Sequence, residues 1–221
     1  FFFRQTFSGG PETPLTLANP FPESAGISPL ALAGIDVPDR PYVQHYSLSL
    51  QHEIRPNLVL DVSYIGTKGT NLKRIRNINQ AVAGPGSLES RRPFRGLDRI
   101  SFREASSSSS YHALQVRVEK QLSHGLSFKS NYTLGKSIDD EGSSRGAQNE
   151  YDLKSEKGLS ALDTRHRLVW NHTYKLPIGK NFVKKLPKSL SQMITGWEIS
   201  GIFTLVSGRP FTPVLSRDNS G

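Results

Sequence analysis

Apolar and polar residues alternate with a period of two along six stretches of the chain. In 42–54, Tyr46, Leu48 and Leu50 occupy even positions, while Ser47, Ser49 and Gln51 occupy odd ones. The stretch 58–66 sets Leu58, Leu60, Val62 and Tyr64 against Asp61 and Ser63. In 111–121, Leu114, Val116 and Val118 oppose Gln115, Arg117 and Glu119. The stretch 126–138 gives Leu126, Phe128, Tyr132 and Leu134 against Lys129, Asn131 and Thr133. In 164–176, Leu168, Trp170, Tyr174 and Leu176 face away from Arg165, Arg167, Asn171 and Thr173. The last, 197–207, puts Trp197, Ile199, Phe203 and Leu205 on odd positions against Glu198, Ser200 and Thr204. Ser130 and His172 break the apolar phase, and Val59, Val169, Ile202 and Val206 the polar one. Successive side chains of a strand point to opposite faces, so this period predicts strands with two unlike faces.

The connections alternate in length as well. Arg55-Pro56-Asn57 and Ser123-His124-Gly125 are tight, with Pro, Asn and Gly supplying turn dihedrals. Between them 67–110 reads as a long connection, 138–163 as another, and 177–195 as an intermediate one. Long connections of this kind argue against a compact soluble domain. They fit a membrane barrel, which has short periplasmic turns and long extracellular loops. Gly, Ser and charge fill these connections, as in 105–110 and 139–146. The opening stretch 1–7 is a short aromatic strand candidate. The segment through Pro20, Pro22, Pro29 and Pro38 reads as an exposed loop.

Composition sharpens the membrane reading. Apolar residues are 35% of 221, below the ~45–50% of soluble domains, as expected when one sheet face looks onto water. No run approaches the ~20 apolar residues of a spanning helix, which leaves the closed barrel as the route across a bilayer. The chain opens Phe1-Phe2-Phe3-Arg4 and closes on a polar, loop-like tail, 216–221, so the expectation is an internal fragment. With Cys 0, thiol nucleophiles, cysteine zinc sites and disulfides are excluded. The net charge of +9 is scattered, and its tightest cluster (Lys180, Lys184, Lys185, Lys188) falls in a turn. Solvated loops and lumen, and no nucleic-acid partner, are the expectation.

Pro41-Tyr42-Val43-Gln44, Tyr64-Ile65-Gly66-Thr67-Lys68-Gly69-Thr70, Asn77-Ile78-Asn79-Gln80 and Tyr111-His112-Ala113-Leu114-Gln115-Val116 follow one another along the chain. After them come Gly125-Leu126-Ser127-Phe128, Tyr132-Thr133-Leu134-Gly135-Lys136-Ser137-Ile138-Asp139-Asp140, Asp163-Thr164-Arg165-His166-Arg167, Gly196-Trp197 and Ser207-Gly208-Arg209-Pro210-Phe211. In this order and spacing the chain resembles the Oar-like TonB-dependent receptors, a group abundant in Acidobacteria, over nearly its whole length. The resemblance implies a barrel of about 22 strands, preceded by a plug and a carboxypeptidase-regulatory-like domain. It also implies that the parent protein's N-terminal region contacts the TonB complex. Residues 1–221 would then be part of the β-barrel domain, with the plug, signal peptide and C-terminal strands outside this chain.

Few residues invite chemistry. Asp139, Asp140 and Glu141 could hold a hard cation through oxygen ligands, but their spacing lacks the ligand pattern of a calcium loop. A solvated loop or a loop-to-lumen ion pair is the expectation, with no metal. His166 with Asp163 could be imagined as a catalytic pair. No nucleophile elbow accompanies it, and Arg165 and Arg167 are expected to pair with Glu119 or Glu198, so no catalytic residue is assigned. Gly66, Gly69, Gly84, Gly86 and Gly96 lack the strand–turn–helix setting of a phosphate loop, and no cofactor is expected. Tyr46, Tyr64, Tyr132, Tyr174, Trp170 and Trp197 could stack on sugars or bases. Their apolar phase near strand ends instead predicts a membrane-interface girdle.

The sequence therefore predicts an all-β, antiparallel transmembrane β-barrel segment, a meander of hairpins with long extracellular loops. Even positions face lipid in the first five strands. It is expected in the bacterial outer membrane, as part of a non-enzymatic receptor for a large, scarce solute that the sequence leaves unidentified. The alternatives are a passive porin-like or adhesin barrel and a soluble carbohydrate-binding β-sandwich.

Overall fold

The structure is a computed structural model that describes residues 2–4, 7–8, 26–27, 30–35, 39–141, 147–177, 196–211 and 213. The lysine cluster 180–188, the prolines of the first loop, the Gly/Ser segment 142–146 and the tail 216–221 lie outside the described residues.

Four short strands come first: β1 (Phe2–Arg4), β2 (Phe7–Ser8), β3 (Gly26–Ile27) and β4 (Leu30–Ile35). The meander follows, with β5 (Tyr42–Arg55), β6 (Leu58–Asn77), β7 (Leu97–Ser123) and β8 (Leu126–Asp139). The two-residue β9 (Gly158–Leu159), then β10 (His166–Lys175) and β11 (Glu198–Val206) complete it. Each strand of the meander pairs antiparallel with the next, β8 passing to β10 across the β9 loop.

The register turns the alternation of the sequence into rows. Leu50, Val62, Val116, Tyr132, Leu168 and Leu205 lie opposite one another across the six long strands. One residue on, Gln51, Asp61, Arg117, Asn131, Val169 and Thr204 form the neighbouring row on the other face. The odd apolar positions of β11 thus join the even ones of β10, with Phe203 opposite Trp170 and Ile199 opposite Tyr174. The apolar face is open: Leu50 is 69% exposed and Phe203 62%. Among the described residues the buried apolar core is only Ile100, Ala105 and Ala113. The polar face carries ion pairs between adjacent strands, Asp61–Arg117 at 3.3 Å and Glu119–Lys129 at 3.6 Å.

The tight turns fix this register. Pro56 is followed by Asn57 at φ 67°, the arrangement of a type II turn. His124 (φ 52°) and Gly125 (φ 82°) are both left-handed, as a type I′ hairpin requires. Gly66 serves packing, because the Tyr46 ring lies across it where a Cβ would stand.

Two expectations need correcting. The segment 67–110 is largely strand: β6 continues to Asn77 and β7 begins at Leu97, so only 78–96 is a true connection, with a short helix α1 (Leu88–Arg91) inside it. Hydropathy alternation fades there, but a backbone ladder needs no apolar side chains. The small residues of 106–110 and a register shift between Gly69 and Leu72, with Asn71 at φ 54°, carry it onward. Within the Pro-rich opening loop, β4 is a strand that runs parallel to the first part of β7. It is the one parallel pairing among the described strands, and β1 pairs with β4 in turn.

Candidate functional site

Where β6, β7 and β8 outrun the apolar rows, the side chains change character. Arg74 is 3% exposed and gives Asp140 a 2.8 Å ion pair from Nη2, which also donates to the Asp140 carbonyl. The same carboxylate accepts from Ser107 Oγ at 2.6 Å, from the Ser108 N–H at 2.9 Å and from Ser108 Oγ at 2.8 Å. Burial penalises the charge of Asp140, but the serine hydroxyls, the Ser108 N–H and Arg74 outweigh it and hold the carboxyl below its usual range. Neighbouring Glu141 is shifted the other way: desolvation with the Asp139 and Asp140 charges exceeds the pull of Arg74 and the Ile75 N–H.

Beside this seam, Asn77-Ile78-Asn79-Gln80 ties two connections to the sheet. Asn77 Oδ1 accepts from the N–H groups of Asn79 and Ile100 at 3.1 and 3.2 Å. Asn79 is 1% exposed. Its Nδ2 shares two hydrogens among the carbonyls of Phe94, Leu97 and Asp98 at 2.8–3.0 Å, and its Oδ1 accepts from the Phe94 N–H at 2.8 Å. Gln80 reaches across to the next connection, donating to the Gln148 carbonyl at 2.8 Å and accepting from the Glu150 N–H at 2.7 Å. Tyr151 returns a bond to the Gln80 carbonyl at 2.6 Å, and the Asn77 N–H donates to Glu150 at 2.9 Å. Glu150 is buried with its second oxygen unpartnered. Desolvation pushes its pKa up, against the Asn77 N–H and the charges of Arg76, Arg99 and Arg74.

The sequence-predicted residues are dispersed. Asp140 forms the loop-to-sheet ion pair, whereas Asp163 and His166 do not meet: Asp163 accepts from the Ser137 N–H at 2.6 Å, and His166 Nδ1 bonds the Tyr132 hydroxyl at 2.8 Å. Glu119 faces Lys129, not an arginine, and Arg167 lies opposite Thr133 and Val206. The reason is register, which places Arg167 on a row with neither carboxylate. The glycines separate too, Gly66 and Gly69 within β6 and Gly84, Gly86 and Gly96 in the 78–96 connection at positive φ. Arg74, Asn79, Gln80, Ser107, Ser108 and Glu150 received no role from the sequence. The one available signal was the run of amides at 77–80, which has no strand period.

A family model for an outer membrane beta barrel domain matches residues 1–221. The chain belongs to the outer membrane beta barrel domain family. Neither the curated proteins nor the solved structures provide a match. In a family of the bacterial outer membrane the open apolar rows are the lipid face, which sets aside the soluble sandwich. On β7 this face runs from His112 to Lys120, bracketing Leu114, Val116 and Val118, close to the roughly 9–11 residues of a tilted spanning strand. Aromatics line its two ends. Tyr46, Tyr64 and His112 cluster toward the long connections, with ring centroids 6.2–6.3 Å apart. Toward the tight turns, Trp170 stacks on Phe128 at 5.3 Å. Rings at band edges are what interfacial girdles supply, whereas Tyr132, expected among them, lies in the central row between Val116 and Leu168. The Arg74–Asp140 seam and the 77–80 clamp lie beyond this band, in water.

Proposed function

We propose that this barrel segment is wall and extracellular rim of a TonB-dependent receptor that takes up a large, scarce solute. The tight turns lie in the periplasm and the long connections outside the cell. The parent's N-terminal region supplies a plug and the contact to the TonB complex. The observation that carries the reading is the pinned rim. A passive pore needs only connections that stay out of the way, whereas capture of a dilute solute is favoured by a surface ordered before binding. Here β6 and β7 extend their ladder past the lipid band, and buried polar side chains tie two connections to it. The Oar-like motifs, which include Asn77-Ile78-Asn79-Gln80, support the receptor over the porin-like alternative.

The test uses the purified full-length parent protein in a planar bilayer. A plugged receptor gives no steady conductance until mild urea loosens the plug, and it binds the purified periplasmic domain of TonB. Steady ohmic conductance without urea, together with no TonB binding, would establish the passive pore instead.

A further inference from the structure

The two ends of the lipid face treat their lysines differently. At the turn end, Lys120 is consumed by its own hairpin: Nζ donates to the carbonyls of Ser123 and Leu126, each at 3.0 Å, and to the Ser123 hydroxyl. At the loop end, Lys68 and Lys136 are exposed, and neither has a hydrogen-bond or ion-pair partner among the described residues.

Register brings these two lysines together. Lys136 on β8 is directly opposite His112 on β7, which is opposite Gly66 on β6; Lys68 is two residues further along β6. All lie on the lipid phase of their strands, one row or two beyond Leu114 and Leu134. Two strand steps of about 4.8 Å and two residues at about 3.4 Å each put Lys68 and Lys136 about 12 Å apart, within joint reach of flexible lysine chains. His112 lies between them. Its Nδ1 is engaged by the Tyr64 hydroxyl at 2.7 Å, so Nε2 is the nitrogen left for another partner. The nearest acid on this phase, Asp140, is committed to Arg74 and the two serines.

We propose that Lys68, Lys136 and His112 form a binding site for the phosphate groups of an anionic glycolipid in the outer leaflet. Its acyl chains would run down the rows of Leu114, Val116 and Leu134. Unpaired cations at the level where an apolar face meets water are drawn to anionic headgroups, each contributing on the order of 1 kcal/mol, and lysine is a good point-charge partner for phosphate. On the lipid phase of the described residues the open ammonium groups occur at one end only, which matches a membrane whose phosphate-rich glycolipid is confined to one leaflet. The site rests on the sidedness proposed above, but on neither the plug nor the imported solute.

The experiment titrates the detergent-solubilised full-length receptor with diphosphorylated lipid A, and separately with its dephosphorylated form, reading bound lipid by native mass spectrometry. The wild type should prefer the phosphorylated lipid. Lys68→Gln with Lys136→Gln should weaken that binding about 10- to 30-fold, and Lys68→Arg with Lys136→Arg should restore it. Heat-modifiable gel mobility establishes that each variant is folded. Equal affinity of wild type and double Gln variant would overturn the site, as would indifference to the phosphates. Loss on Lys120→Gln, with the double Gln variant unaffected, would also overturn the site by placing the lipid at the turn end. Bilayer conductance is independent of all these outcomes, so failure here leaves the receptor reading standing, and the converse holds.

Discussion

The seam continues three of the six strands of the spanning wall, yet seam and wall obey different rules. In the wall a side chain is selected by the medium it meets. Val116 and Arg117 are neighbours in sequence, but Val116 sits between Val62 and Tyr132 on the lipid face, and Arg117 meets Asp61 on the other. Any apolar residue of suitable size would serve at Val116. In the seam polar side chains are buried, so selection is by individual bonds: Asp140 is held by four groups, and Asn79 by four backbone atoms. Wall residues form a pattern, and seam residues form a circuit in which each member is specific.

The sharpest way to break the seam without touching the wall is Asp140→Ala in the full-length parent protein. It strands the buried Arg74 guanidinium, and breaking a buried pair costs about 3–5 kcal/mol; the lower end is expected because Asp140 is 19% exposed. Hydrogen exchange should accelerate in 69–77 and 105–110 while the amides of 112–120 stay protected. Uniform acceleration across both regions would show that seam and wall unfold as one unit.

In the wall, Val116→Arg places a charge against hydrocarbon and should cost roughly 2–4 kcal/mol near the midplane. Arg117→Val removes only a partly exposed pair and should cost under about 1 kcal/mol. Reversible unfolding in liposomes measures both. Equal losses, or a larger one for Arg117→Val, would reverse the face assignment, because a one-residue slip exchanges the two roles.

The smallest effect separates two carboxylates of the rim. Glu150, with its pKa raised, is strained by its charge above that pKa and is relieved as acidification protonates it. Asp140, with its pKa lowered, contributes stability above the ordinary carboxylate range of about 4, and that contribution is lost as pH falls through its own lower value. Protection of 147–152 against protease should therefore hold or rise slightly from neutral to mildly acid pH, then collapse below about 4. Glu150→Gln should flatten the first part of the curve only. An unchanged curve in that variant would remove Glu150 from the account.

These rules also decide what could be read in advance. The six long strands, their faces and both hairpin turns were legible because lipid and water impose a period of two, and Pro56, Asn57 and Gly125 mark reversals. The extension of β6 and β7 was not legible, since the Ser106–Ser110 run has no alternation to betray a strand. Nor was the convergence of Arg74 with Asp140, which are far apart in sequence and brought together only by the β6–β7–β8 register. The amide run at 77–80 was visible as a motif, but its meaning lies in the carbonyls it reaches.

The clamp at 77–80 also bears on how such a protein can change. Asn79 and Gln80 grip their neighbours through main-chain atoms: the carbonyls of Phe94, Leu97, Asp98 and Gln148, and the N–H groups of Phe94 and Glu150. Main-chain atoms are common to nearly every amino acid, so side chains at 81–93 can drift without releasing this hold. Position 94 is different, since proline there would delete the donor that Asn79 Oδ1 needs. Descendants of this chain could therefore remodel the surface of the connection by point substitution, while inheriting the frame that presents it.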